Sequence, residues 1–134
     1  MKSSETYPIL ACETQHDWEM WLEQYHSEVR GVWLKFAKKA SGLPSITYEE
    51  ALDAALCYGW IDSQAAPYDT QYWLRKFTPR GPRSKWSQVN RNKVGVLLAA
   101  GRMRAAGIRQ VELAQADGRW EAAYGRQRRA GVPD

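Results

Sequence analysis

Two stretches of this chain alternate with a period of two, Val32-Trp-Leu-Lys-Phe-Ala37 and Gln71-Tyr-Trp-Leu-Arg-Lys-Phe77, and a chain that carries them must build a sheet. Successive strand side chains point to opposite faces, so Val32, Leu34 and Phe36 share one face and Trp33, Lys35 and Ala37 the other. In the second stretch Tyr72, Leu74 and Lys76 alternate with Trp73, Arg75 and Phe77. Bulk on both sides points to a core face backed by a semi-exposed recognition face. Trp60-Ile-Asp-Ser63 reads as a further strand, joined to the second stretch through an Ala-Ala-Pro-Tyr-Asp loop and paired with it antiparallel.

Helix-start signals flank these strands. Thr14-Gln-His-Asp17 has capping-box form with Asp in place of Glu, followed by Trp18, Trp21, Leu22 and Tyr25 on one helical stripe. Thr47-Tyr-Glu-Glu50 is a full capping box ahead of a narrow face of Ala51, Leu52, Ala55 and Leu56, and Gly59 supplies the left-handed residue that ends this helix near Cys57 or Tyr58. Pro79 and Pro82 cannot donate to a ladder, and Ser84 is the predicted N-cap of a third helix with Val94, Leu97, Leu98 and Gly101 as its buried stripe. Gly107 is read as a break before a shorter helix that closes at Asp117-Gly118, and Trp120, Ala123 and Tyr124 as a last turn on the core. The sum is an α+β fold: one domain over residues 1–124, a small antiparallel sheet of about three strands packed with about four to five helices, and a mobile basic tail over 125–134. The expected core is Trp18, Leu22, Leu34, Phe36, Leu52, Leu56, Ile61, Leu74, Leu97 and Trp120.

At 134 residues, with 44% hydrophobic and 12% aromatic content, the chain can bury a core and is not expected to be disordered. No apolar run approaches the ~20 residues that span a bilayer, and the N-terminal segment lacks the form of a secretory signal. Cys12 and Cys57 sit in no Cys-x-x-Cys or Cys/His spacing, so both are read as reduced thiols of a cytoplasmic protein. His16 and His26 are too far apart on one short helix to share a metal, and no metal site or cofactor is expected.

The charge is divided along the chain. Residues 1–70 hold 5 Lys/Arg against 11 Asp/Glu and residues 71–134 hold 14 against 4, with no acid between Asp69 and Glu112. Such a block meets an anionic partner or folds back on the acidic half of its own chain. The expected anion-binding surface comprises Trp60, Asp62, Arg75, Arg80, Arg83, Ser84, Lys85, Trp86, Ser87 and Asn90: arginines for bidentate phosphate contact, free amides at a helix start, and indoles that could stack on bases. Its ligand is expected to be phosphate-bearing or otherwise anionic, with nucleic acid as the alternative. An enzyme around Asp62, Arg80 and Asn90 is the weaker reading, because no Gly-x-Ser-x-Gly elbow, phosphate-cradling Gly-Lys-Ser/Thr ending or neighbouring histidine activates these groups.

Read together, Trp18-Glu-Met-Trp-Leu22, Val32-Trp-Leu-Lys35, Ser45-Ile-Thr-Tyr-Glu-Glu-Ala-Leu52, Cys57-Tyr-Gly-Trp-Ile-Asp62, Phe77-Thr-Pro-Arg80, Ser84-Lys-Trp-Ser-Gln-Val-Asn90, Gly101-Arg-Met103 and Asp117-Gly-Arg-Trp120 give the chain a resemblance to the bacterial YdeI/OmpD-associated family, also labelled bacteriocin-protection proteins. The resemblance implies a small α+β domain, defence against envelope-directed peptides and an envelope protein as partner.

Overall fold

A computed structural model describes residues 7–123, which form β1 (Ile9–Ala11), α1 (Gln15–Tyr25), β2 (Val32–Ala37), α2 (Tyr48–Cys57), β3 (Trp60–Pro67), β4 (Tyr72–Pro79), α3 (Gln88–Ala99) and α4 (Ala105–Ala116), with a 3-10 turn at Lys39–Ser41. Helix starts follow the available caps. Thr14 accepts the Asp17 amide, and Thr47 and Glu50 exchange two bonds of 3.1 Å, the reciprocal box that the sequence spelled. The third start differs from expectation: Ser87, not Ser84, takes the Asn90 amide, so α3 begins at Gln88. Contacts group the chain into two compact units, one of residues up to Ala55 with Trp60–Pro79, the other of Leu56–Gly59 with the chain from Arg80 onward.

The first unit is built on a four-stranded sheet of order β1-β2-β4-β3. The sheet is mixed, where an all-antiparallel one of three strands was expected. β1 pairs parallel to β2 because α1 carries the chain across between them, while β4 runs antiparallel to both β2 and β3. Pro67, expected in the hairpin loop, closes β3 instead, which an edge strand tolerates. The turn is then held by Asp69, whose Oδ1 accepts the amides of Gln71 and Tyr72 at 2.8 Å each.

Register assigns the two faces. Val32 opposes Phe77, Leu34 opposes Arg75, Phe36 opposes Trp73, and Asp62 also opposes Phe77, so these residues share the inner face with Trp60. Against it lies Trp18 of α1, its ring 5.5 Å from Phe77 and its Nε1 donating to Ala51 O of α2 at 2.9 Å. Trp60, 1% exposed, takes the core place expected of Ile61, which is only half-buried. Leu74 is buried as expected, but on the outer face; the residue that β4 gives to the core is Phe77.

In the second unit Val94, Leu97, Met103, Val111, Ala114 and Trp120 are buried, whereas Leu98 is 46% exposed. Gly107, expected as a break, lies inside α4. A Cβ there would collide with the Cys57 carbonyl oxygen and stand 2.7 Å from that of Leu56, so glycine is needed for close approach. The break falls at Gly101, with φ of 71°. The expected contact of Tyr124 and the tail over 125–134 lie outside the described residues. Cys12 and Cys57 are buried and form no disulfide, and burial, with Asp17 adding, pushes the Cys12 thiol up to about 11.

Two glycines separate packing from propensity. Gly95 in α3 has nothing within 4 Å of a Cβ, so Gly95→Ala should raise stability by about 0.5–1 kcal/mol in urea unfolding. Gly107→Ala makes the same propensity gain and should nevertheless lose about 1–3 kcal/mol to overpacking. Equal effects at both positions would contradict the packing described for α4.

Candidate functional site

Strand register brings Asp62 and Arg75 together within the first unit. The β-bulge between Asp62 and Ala65 shifts the ladder, so Arg75 opposes Ala65 and reaches along the inner face. Its Nε and Nη2 lie 2.9 and 2.7 Å from Asp62 Oδ2, and the same oxygen accepts the Tyr48 hydroxyl at 2.8 Å. The Arg75 guanidinium also stands 5.3 Å from the Tyr48 ring centroid. Burial, then the hydrogen bond to Asp62, pushes the Tyr48 phenol up to about 12. Such a phenol stays a proton donor at neutral pH and does not act as a base. The arrangement is an ion pair with its acceptor oxygen committed, and Trp60 beside it is core, donating through Nε1 to His26 O at 3.2 Å.

The rest of the expected surface, Arg80, Arg83, Ser84, Lys85, Trp86, Ser87 and Asn90, belongs to the second unit. There Arg80 is a scaffold: 5% exposed, it lies 3.6 Å from the Trp86 ring centroid and donates through Nη1 to Ser84 Oγ at 2.7 Å and Lys85 O at 3.2 Å. Trp86 is buried edge-on against Trp120, and Arg119 donates to Ser84 O at 2.8 Å. Ser87 caps α3. Arg80, between Pro79 and Pro82, therefore holds this loop together from inside, while Arg83 and Lys85 are exposed. The indoles Trp60 and Trp86 are not available for stacking.

The outer face of the sheet carries a cluster that the sequence reading left out of the site. Lys35 Nζ stands 4.2 Å from the Tyr72 ring centroid and 4.8 Å from that of Tyr68, and Lys76 Nζ stands 5.5 Å from Trp33 and 5.4 Å from Tyr7. Trp33 opposes Lys76 and Lys35 opposes Leu74, so the lysines are diagonal neighbours, about 7–8 Å apart at the backbone. No residue that the register puts on this face is acidic. Neither lysine has a carboxylate within ion-pair distance among the described residues. The nearby turn holds Asp69, its carboxyl lowered first by the Gln71 and Tyr72 amides and then by Lys35 and Lys38. Trp33, Lys35, Tyr72 and Lys76 are all partly exposed. The signal for them was the alternation itself, Trp33/Lys35 against Tyr72/Lys76, once paired in register.

Among the described residues no group of three or more His, Cys, Asp or Glu could hold a metal ion, and no helix is long and apolar enough to cross a membrane.

A family model described as Domain of unknown function (DUF8412) matches residues 10–110. No curated protein and no solved structure matches the chain. No comparison names the YdeI/OmpD-associated family, and the family model that does match is a different one, so that label and the bacteriocin-protection role attached to it are withdrawn; the cytoplasmic placement read from the cysteines finds no support in the comparisons.

Tyr48 reports on the ion-pair network. Its pKa is raised on folding, so the native state keeps a proton that the unfolded chain loses first. The corresponding stability is present below pH 10 and is lost as pH rises toward 12. Ultraviolet titration should find the Tyr48 phenol, identified by its loss in Tyr48→Phe, ionising near 12, and Asp62→Asn should move it down without returning it fully to 10, since burial is the larger cause. A Tyr48 that titrates at 10 in the native protein would contradict this geometry.

Proposed function

We propose that this chain, which belongs to the family described as Domain of unknown function (DUF8412), is a non-catalytic binding protein that holds single-stranded nucleic acid on the outer face of its sheet. The observation that carries the reading is the cluster of Lys35 and Lys76 among the rings of Tyr7, Trp33, Tyr68 and Tyr72, on a face to which the strand register brings no acid. Edge protection does not account for these lysines, because β2 and β4 are the central strands. Each ammonium is held against rings in the free protein and can swing to a phosphate, which exposes the ring for a base. Stacked bases contribute about 1–3 kcal/mol each and tolerate any sequence, and lysine contacts make the binding salt-dependent. A sheet that presents aromatic residues between cations is also the physical basis on which RNA-binding sheets work. Duplex DNA keeps its bases stacked inside and offers such a face only phosphates.

Fluorescence anisotropy with a labelled oligothymidylate of about 12 nucleotides tests this. Binding should weaken on Trp33→Ala by about fivefold or more. Lys35→Ala with Lys76→Ala should reduce the slope of log K against log salt by about 0.7 per lysine removed. Arg83→Ala with Lys85→Ala should change little. Tighter binding to duplex DNA or anionic vesicles than to the single strand, or binding indifferent to the sheet-face variants, would overturn the reading.

A further inference from the structure

A cavity of about 310 Å³ opens in the first unit on the opposite side of the sheet from the lysine cluster, between the end of β2, the loop that follows it and the start of α2. Phe36 and Trp73 form its floor, stacked at 4.9 Å between centroids and 25° between planes, and Ile46 and Leu43 wall it. Its side-chain polar lining is unbalanced toward donors. The Ser45 hydroxyl proton is committed to Ile46 O and that of Tyr48 to Asp62, and the Lys38 ammonium donates to Asp69 O. Among the described residues the Lys39 ammonium, the Trp73 indole N–H and the Thr47 hydroxyl proton have no acceptor, and no carboxylate side chain lines the cavity.

From this we infer a second site, distinct from the nucleic-acid face, that takes a small carboxylate with an aromatic or compact hydrocarbon body. Donors without matching acceptors select a ligand head that only accepts hydrogen bonds, and a carboxylate is such a head. The stacked floor selects a flat apolar body. The volume lies at the lower end for ligand pockets, which fits one ring and a short chain and excludes a dinucleotide. Lys39 sits at the rim, where it binds the carboxylate while the ring lies over Trp73.

The test is a nitrogen-proton correlation titration with 3-phenylpropionate and with the neutral 3-phenylpropanol, the Trp73 indole signal being assigned through Trp73→Phe. 3-Phenylpropionate should shift the Trp73 indole and the Leu43 and Ile46 amides. Lys39→Ala should weaken it about twofold to fivefold while leaving 3-phenylpropanol unchanged. Leu43→Trp, which fills the mouth from an exposed loop, should abolish binding of both with the fold intact. Absence of a Trp73 shift at millimolar ligand, equal loss of both ligands in Lys39→Ala, or undiminished binding in Leu43→Trp would each overturn the proposal. Oligothymidylate binding is read on the other face, so the two proposals fail independently.

Discussion

A strand residue can face only one side of its sheet, and that rule separates two kinds of aromatic residue in the first unit. Phe36, Phe77 and Trp60 point inward to Trp18 and Trp21, where centroid separations of 5.5 to 6.5 Å and edge-on or tilted planes make a continuous cluster. Burying each such side chain stabilises the fold by roughly 2–3 kcal/mol. Trp33 and Tyr72, one position out of phase, cannot join it. They are left with the lysines that share their face, and the candidate binding surface is the complement of the core.

The same rule explains a pair of charges on the inner side. Arg75 falls in phase with Phe77, so its guanidinium enters a face that is otherwise apolar, and Asp62 on β3 enters with it. Removing either one would leave its partner partly buried and uncompensated. Tyr48 completes the acceptor's coordination from the first turn of α2 and ties that helix to the sheet. In the second unit guanidinium groups again serve as internal fasteners: Arg80 lies on Trp86 and Arg119 bonds the Ser84 carbonyl. A basic stretch in a sequence therefore does not by itself describe a basic surface.

Local signals were the legible part. The Thr14 side-chain cap, the capping box at Thr47, the left-handed Gly59 and the ends of β2 lay in the sequence because each depends on a few neighbouring residues. What decides between faces was not local. Trp60-Ile61 and Leu74 with Phe77 are apolar in either phase, so the pattern gives strands without saying which side the helices cover. β1 is three residues long and is identified only by its ladder with β2. Gly107 reads as a breaker until the Cys57 carbonyl is placed against it. For the site, the charge block drew attention to Arg80, Trp86 and the segment after Asp69, whereas Lys35 and Lys76 lie far apart in sequence, one of them in the acidic half. Only pairing β2 with β4 makes them neighbours.

The central claim is that the outer face, and not the arginine-rich loop, meets an anionic strand. Chemical-shift mapping with unlabelled oligothymidylate on protein labelled at lysine and tryptophan nitrogen reads this directly. The account predicts shifts of the Trp33 indole and the backbone amides of Lys35 and Lys76, with the Trp18 and Trp60 indoles unmoved because both are buried and already hydrogen-bonded. Shifts confined to Lys85 and Trp86, with Trp33, Lys35 and Lys76 unchanged, would contradict it.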